Sequence, residues 1–109
     1  MVESRVEQAL TEGIRKEGGW AIKLVSPGNA GVPDRIVLLP GGKVIFVELK
    51  TDTGRLTILQ RTVHNRLRRL GMDVRVLYGI QAVRAFLREV SIDAFQGVPV
   101  SGSSSEVDS

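Results

Sequence analysis

The segment KVIFVELK, residues 43–50, begins like a strand from the centre of a sheet and ends in two charges. Side chains on a strand alternate between its faces, so one face carries Val44, Phe46, Glu48 and Lys50, and the other carries Ile45, Val47 and Leu49. Both faces are apolar up to residue 47, which predicts a central strand covered on both sides. Only one face then becomes ionic. Glu48 and Lys50 are therefore predicted to lie where burial is expected.

The hairpin that precedes this strand predicts a partner for Glu48. If PGG, residues 40–42, is a three-residue loop, Leu39 pairs with Lys43 and Asp34 lies directly opposite Glu48. Directly opposed side chains have Cβ atoms about 4.5–5.5 Å apart. Two carboxylates this close repel each other unless a divalent cation lies between them, and Mg²⁺ binds such pairs together with water and phosphate. A two-residue loop would shift the register by one and remove this pairing.

Lys50 follows Glu48 on the same face of the strand. A lysine beside a metal-bound water and a phosphate can orient the water, help to take its proton, or stabilise charge that develops on phosphorus. Metal, carboxylates and lysine together suit hydrolysis of a phosphodiester. The alternative is that Glu48 and Lys50 form a surface ion pair without function. Asp34, predicted opposite Glu48 at the end of a Pro/Gly-rich loop, favours the catalytic interpretation.

The remaining patterns predict an α/β fold with the order α-β-β-β-α-β-α. Helices are predicted at 3–17, 57–70 and 80–90, and strands at 20–26, 34–39, 43–50 and 73–78. Short links make the first three strands an antiparallel meander, whereas the crossover helix makes the third and fourth strands parallel. The result is a mixed four-stranded sheet flanked by helices. Thr57 and Gln60 match a capping box at the start of the second helix.

Two sets of apolar residues are predicted to lie in the core. Trp20, which follows two glycines at the start of the first strand, is expected to be buried there. The second helix carries an apolar stripe at helical spacing, formed by Ile58, Leu59, Val63, Leu67 and Leu70.

Composition bounds the remaining possibilities. The 109 residues fit one domain, assigned to residues 1–95, and the polar residues 96–109 are predicted to form a disordered tail. The absence of cysteine excludes disulfides and Cys-ligated zinc, and a single histidine excludes sites that need two. No signal peptide or membrane span is indicated, so a cytoplasmic protein is expected. The net charge of +3 is a mild bias toward polyanions.

The motifs at these positions resemble a known nuclease family. GVPD, residues 31–34, followed by VELK, residues 47–50, resembles the PD-(D/E)xK signature, and the element order matches the restriction-endonuclease-like core of that superfamily. SPGNAGVPDR, residues 26–35, and GRLTILQ, residues 54–60, are more specific. They resemble the VRR-NUC nuclease domain in its small stand-alone form, found in bacteriophages and bacteria. The resemblance spans residues 3–90.

The resemblance implies cleavage of DNA phosphodiesters that depends on Mg²⁺ or Mn²⁺. It implies Asp34 and Glu48 as metal ligands, with the Leu49 carbonyl as a third. It also implies that Lys50 is the catalytic lysine and that Gln60 belongs to the site.

The superfamily often adds a glutamate from the first helix, both as a catalytic residue and as a metal ligand. Glu3 and Glu7 are the candidates, and both lie at the edge of the apolar stripe of that helix. Glu7 is preferred because a position at mid-helix is held by packing. The alternative for either residue is a solvated acid.

Basic residues around the predicted site are candidates for DNA contact. Arg61, His64 and Arg68 recur at helical spacing on the second helix, and could follow a phosphate backbone or form a plain solvated face. His64 is assigned to that surface and not to a ligand set. Lys23 and Arg35 flank the site and are candidate phosphate contacts.

A metal-dependent endonuclease is therefore the favoured function. The alternatives are a nucleic-acid-binding module with an inactive site, a nuclease for flaps or single strands, and an interaction domain with incidental charges. A domain this small and modestly charged is expected to act as a homodimer on branched DNA, with four-way junctions favoured because their approximate two-fold symmetry matches a C₂ dimer. The expected location is the cytoplasm of a bacterial or phage-infected cell.

Overall fold

The computed structural model describes residues 4–97, with the side chains described as far as residue 91. The elements, in chain order, are α1 (Arg5–Lys16), β1 (Trp20–Lys23), β2 (Arg35–Leu39), β3 (Lys43–Lys50), α2 (Ile58–Arg69), β4 (Asp73–Tyr78) and α3 (Gly79–Gly97). The sheet has the order β1-β2-β3-β4. Strands β1 to β3 pair antiparallel and β4 pairs parallel to β3, so the predicted fold class and sheet topology are confirmed.

The β2–β3 hairpin has the register that the sequence predicts. Leu39 pairs with Lys43 across the loop, and Arg35 pairs with Val47 at the far end of the ladder. Gly41 and Gly42 have φ values of 86° and 79°, a left-handed backbone that favours glycine. One further step along this register brings Asp34 opposite Glu48.

The main core lies on one face of the sheet, beneath α1 and α3. The sheet contributes Val37, Ile45, Val47 and Leu77, and the two helices contribute Leu10, Ile14, Val83, Phe86 and Val90. These side chains are at most 8% exposed. On the opposite face, α2 packs against β4. Only part of that face is shielded, because Val44 on β3 is 40% exposed. The prediction that β3 is covered on both sides therefore holds only in part.

The uncovered part of that face is formed by β1, β2 and the first half of β3. We call it the open sheet face, and it consists of Trp20, Ile22, Ile36, Leu38, Val44 and Phe46, which are neighbours across the ladder. Trp20 is 65% exposed, so its prediction as a core residue is wrong. The reason is that no described helix buries it, since α1 packs on the other side of the sheet with Ala21.

Two element boundaries also differ from the predictions. β1 ends at Lys23 instead of Ser26, although Leu24 still donates its N–H to the carbonyl of Asp34 beyond the strand. α3 continues to Gly97 instead of ending at residue 90, since residues 91–96 contain neither proline nor glycine. The rest of the predicted tail, residues 98–109, lies outside the described residues. Within residues 4–97, no helix is long and apolar enough to cross a membrane.

Candidate active site

The site lies where β2 begins and β3 ends. The side chain of Asp34 reaches across the ladder, and its Oδ1 accepts a hydrogen bond from the backbone N–H of Leu49 at 3.2 Å. Glu48 precedes Leu49 on β3 and is only 5% exposed. The hairpin therefore brings two carboxylates from distant positions in the chain into one partly buried site.

Residues from β3 and α2 surround the Glu48 carboxylate. Its Oε2 accepts a hydrogen bond from Gln60 Nε2 at 3.2 Å and lies 3.7 Å from Lys50 Nζ. Its Oε1 lies 4.0 Å from His64 Nε2 and is buried without a hydrogen-bond partner. Gln60 also closes the capping box with Thr57, so its predicted role as a helix cap is confirmed, whereas its role in the active site stays a prediction.

A second cluster joins α1 to the start of β2. The Arg35 guanidinium is buried, and donates to Glu7 Oε2 at 2.7 Å and to the backbone carbonyl of Asp34 at 3.0 Å. Glu7 Oε1 accepts from the backbone N–H of Ser4 at 2.9 Å. Ser4 and Glu7 form a capping box, so Glu7 lies in the first turn of α1 and not at mid-helix as predicted. What fixes Glu7 is its cap and its ion pair with Arg35.

The pKa values of Asp34, Glu48 and Glu7 are shifted in different directions. Burial raises the pKa of Asp34, and the nearby charge of Glu7 adds to this effect. Burial also raises the pKa of Glu48, and the negative charge of Asp34 raises it further. The pKa of Glu7 is instead lowered, first by the Ser4 backbone hydrogen bond and then by Arg35. Asp34 and Glu48 are thus the pair whose charges are poorly compensated by the protein alone.

This pair fits a divalent cation that prefers oxygen ligands. Asp34 and Glu48 repel each other, and Glu48 Oε1 has no protein partner. Within the described part of the chain, no three His, Cys, Asp or Glu side chains lie close enough together to hold a metal. Two carboxylates completed by a backbone carbonyl, water and substrate phosphate are a donor set typical of Mg²⁺. Both oxygens of Glu7 are bound by protein donors, so its role as a metal ligand stays a prediction.

Comparison with known proteins identifies the family. The family model of the VRR-NUC domain matches residues 3–81 of the chain. The chain belongs to the VRR-NUC family. As a member of this family, the protein is a nuclease.

Individual relatives agree with this assignment. The chain is similar to a protein named "Putative nuclease p44" from Acyrthosiphon pisum secondary endosymbiont phage 1. The two sequences are 51% identical over 75 residues, and this stretch covers 69% of this chain and 81% of the relative. A solved VRR-NUC domain superimposes with a TM-score of 0.72 at 32% identity, covering 77% of this chain and 91% of that one. A second solved structure, a VRR-NUC domain protein, superimposes with a TM-score of 0.55 at 19% identity and shares the fold. The superposition covers 83% of this chain and 90% of that one.

The α2 helix of this VRR-NUC domain turns a different side to the sheet from the one predicted. Ile58 and Leu70 of the predicted apolar stripe are 85% and 68% exposed. His64, predicted to lie on the surface, is completely buried. The prediction failed because the buried side of α2 faces Glu48 and is partly polar. Gln60 and His64 are four residues apart, so placing Gln60 in the site would have indicated that His64 lies beside it.

The His64 environment is unusual for a buried imidazole. Burial lowers its pKa, and the positive charges of Arg68 and Lys50 lower it further, so the ring is neutral at physiological pH. Neither ring nitrogen has a hydrogen-bond partner. The sequence therefore predicted the wrong environment for His64, which lies beside Glu48 and not on the surface.

The basic residues fall into two groups. In the first group, Lys23 at the end of β1 and Arg61 in the first turn of α2 are exposed. Arg68 instead donates to the carbonyl of Val74 on β4 at 3.0 Å, and Arg35 is held by Glu7. DNA contact by these four residues stays a prediction. Arg35 is buried, whereas Lys23, Arg61 and Arg68 are exposed, and Arg68 is held to β4 by its hydrogen bond.

A cavity of about 470 Å³ adjoins the end of β3 beyond Lys50. It is lined by Asp52, Thr53, Gly54, Arg55, Leu56, Arg61 and Tyr78. Tyr78 pairs with Lys50 in the β3–β4 ladder, so the cavity begins beside the catalytic candidate. Arg55 was not singled out from the sequence, although it lies within the family motif at residues 54–60.

Proposed function

We propose that this nuclease is a DNA endonuclease that hydrolyses phosphodiester bonds and depends on Mg²⁺ or Mn²⁺. The observation that carries the proposal is the placement of Asp34 beside the end of β3, with Lys50 next to Glu48 at 3.7 Å. Two partly buried carboxylates that repel each other would also repel a phosphate. They become useful to a nuclease only when a cation joins them.

The ligands proposed for this cation are Asp34, Glu48 and the carbonyl of Leu49, with Glu7 as a further candidate. The bound cation would activate water and polarise the phosphate. Lys50 is proposed to orient that water, to help remove its proton, or to stabilise the charge that develops on the phosphate. Gln60 supports Glu48 by donating to its Oε2 at 3.2 Å.

The cavity beyond Lys50 supports a nucleic-acid substrate. Arg55 and Arg61 line it and can contact phosphates on one side of the scissile bond. Lys23, on the β1 side of the sheet, is available for phosphates on the other side. A nucleic-acid-binding module with an inactive site is the alternative, but a pair of carboxylates that repels phosphate has no purpose in it.

Metal dependence gives the first prediction. Cleavage should occur with Mg²⁺ or Mn²⁺, stop in EDTA, and fail with Ca²⁺, because Ca²⁺ is larger and accepts looser geometry that does not align the water. A fluorescently labelled DNA, incubated with each ion, measures this. Circular dichroism in each buffer provides the control that the protein remains folded. Full turnover in EDTA would exclude the proposed mechanism.

The open sheet face supports a homodimer as the active assembly. Its six side chains are apolar, and Trp20 and Val44 are 65% and 40% exposed. Contiguous apolar surface of this kind is typical of protein interfaces. A second copy of the same chain, related by a two-fold axis, would cover the face and supply a second active site. Two sites suit a four-way junction, because its resolution takes two cuts.

The dimer prediction is tested by light scattering at micromolar concentration. The wild-type protein should have the mass of a dimer, and Trp20→Ser should shift it toward the monomer by removing the largest side chain of the face. Val25→Ser is the matched control, since Val25 is 74% exposed but lies beyond the end of β1. A monomeric wild-type protein would refute the assembly.

The substrate preference follows from the same symmetry. The dimer should cleave a four-way junction faster than a linear duplex of matched sequence, measured with the same label and ionic conditions. Equal rates on the two substrates would contradict the preference. Faster cleavage of flaps or single strands by a monomer would support the alternative nuclease.

A further inference from the structure

The unpartnered buried atoms of the molecule meet at one place. Among the described side chains, the buried nitrogen and oxygen atoms without a hydrogen-bond partner are Glu48 Oε1, His64 Nδ1 and His64 Nε2. A buried polar atom left unpaired costs about 1–3 kcal/mol. A histidine that served only to fill the core would be replaced at no loss by an apolar side chain. We therefore expect the polar His64 ring to interact with the Glu48 carboxylate that it faces.

The geometry identifies that role. His64 Nε2 lies 4.0 Å from Glu48 Oε1, which is too long for a hydrogen bond. A shift of about 1 Å would bring the two atoms to hydrogen-bonding distance. Gln60, one turn earlier on the same side of α2, already donates to the other oxygen of Glu48. The helix thus places one side-chain nitrogen near each oxygen of Glu48.

We propose that His64 is a positioning residue that donates its Nε2–H to Glu48 Oε1. Together with Gln60, it fixes the plane of the Glu48 carboxylate and so the direction from which that carboxylate binds a metal. This inference rests on the proposed function in one respect, since it takes Glu48 to be a metal ligand. Donation from His64 to Glu48 itself does not depend on DNA cleavage.

The choice of tautomer follows from the atoms that face each other. With the proton on Nε2, an N–H points at a carboxylate oxygen, and Nδ1 remains as an unpaired acceptor. With the proton on Nδ1, the Nε2 lone pair would face the Oε1 lone pairs, and a buried N–H would have no acceptor. The first arrangement satisfies two of the three unpartnered atoms, and the second satisfies none.

Residues that orient a metal ligand have a measurable effect on the metal. Loss of such a partner typically weakens metal affinity by about 10–100-fold. His64→Leu removes both ring nitrogens and keeps an apolar side chain of similar size. His64→Gln retains an amide N–H near the position of Nε2 and is the conservative rescue variant.

The binding experiment uses the full chain without DNA and titrates Mn²⁺ by calorimetry. We expect His64→Leu to weaken Mn²⁺ binding about tenfold or more, and His64→Gln to recover most of the loss. Thermal unfolding in EDTA is the companion measurement. It shows whether each variant is folded, so that a loss of Mn²⁺ affinity in His64→Leu can be assigned to the missing donor and not to unfolding. If the histidine is merely structural, His64→Leu should bind Mn²⁺ with unchanged affinity, whatever its stability.

Nuclear magnetic resonance tests the tautomer directly. The chain has one histidine, so the imidazole nitrogen signals belong to His64 without further assignment. In the metal-free protein we expect the Nε2–H tautomer, and Glu48→Gln should shift the Nε2 signal. This measurement decides the proposal even if His64→Leu fails to fold or wild type binds no Mn²⁺. Failure of Mn²⁺ binding in wild type would count against the proposed function instead.

Three results would overturn the proposal. The first is an Nδ1–H tautomer, which leaves Nε2 as an acceptor or as a metal ligand in its own right. The second is a folded His64→Leu variant that binds Mn²⁺ as tightly as wild type. The third is a folded His64→Gln variant that is as impaired as His64→Leu.

Discussion

Replacement of Lys50 by alanine should lower the rate of DNA cleavage by about 10²-fold or more, as expected when a group that stabilises transition-state charge is lost. The side chain is 19% exposed and its Nζ lies 3.7 Å from Glu48 Oε2, so it can reach both the carboxylate site and a phosphate. The fold should survive, because the deleted atoms lie at the open end of β3. Single-turnover cleavage of a labelled DNA measures the rate.

The control is Lys16→Ala, which removes an exposed lysine from the last turn of α1 and changes the net charge by the same amount. It should leave the rate nearly unchanged. An equal loss in both variants would indicate a general electrostatic effect on DNA binding. An unchanged rate in Lys50→Ala would mean that the active site lies elsewhere.

The β2–β3 hairpin shows how much of the fold and the site a single sequence can predict. If Pro-Gly-Gly is taken as a three-residue loop, the register of the eight-residue strand follows, and this register puts Asp34 next to Glu48. The structure has that register, and the two-residue alternative is wrong. Loop lengths likewise predict the antiparallel meander and the parallel crossover. These features follow from local geometry, for which the residues carry clear signals.

The orientation of α2 could not be read from hydrophobic periodicity. The apolar residues Ile58 and Leu70 are exposed to solvent. Gln60 and His64 instead face the sheet, because the helix packs these polar residues against the buried Glu48 carboxylate. Functional sites are where pattern-based prediction is expected to fail. The prediction that Trp20 is buried failed for another reason. The sequence of a single chain does not show which part of the sheet its helices leave uncovered.

The first helix carries a sequence signal for its own start. Ser4 and Glu7 have the spacing of a capping box, which predicts the helix start and places Glu7 in the first turn. Its pairing with buried Arg35 could not be predicted, because it depends on how α1 crosses β2. For the same reason, the burial of Arg35 became apparent only from the structure.

Asp34→Asn and Glu48→Gln should each lower cleavage by about 10²-fold or more, as expected for loss of a metal ligand. Both substitutions preserve shape and a hydrogen-bonding oxygen. The amide oxygen introduced by Asp34→Asn could still accept from the Leu49 N–H, and the one introduced by Glu48→Gln could still accept from Gln60. The loss can therefore be assigned to the charge. The same cleavage assay, repeated over a range of Mg²⁺ concentrations, should show that excess metal does not restore the rate.

The same variants should be more stable than wild type when metal is absent. In the folded state burial raises the pKa of both carboxyls, and the charge of Asp34 raises the pKa of Glu48 further. An acid with a raised folded pKa costs no stability while it is protonated in both states. The cost appears as pH rises from the unfolded pKa through the folded pKa. In EDTA, the variants should therefore unfold at a higher temperature than wild type near neutral pH, and the difference should vanish in acid.

Addition of metal should reverse that order, and this reversal distinguishes a cation site from an ordinary strained pair. Mg²⁺ should raise the unfolding temperature of wild type, because ligand binding to the folded state stabilises it, and should have little effect on Asp34→Asn. Glu12→Gln, which neutralises an exposed acid on α1, is the control and should respond to Mg²⁺ as wild type does. If Asp34→Asn is less stable than wild type in EDTA at neutral pH, the two carboxylates do not repel each other. The physical basis for placing a metal between them would then be lost.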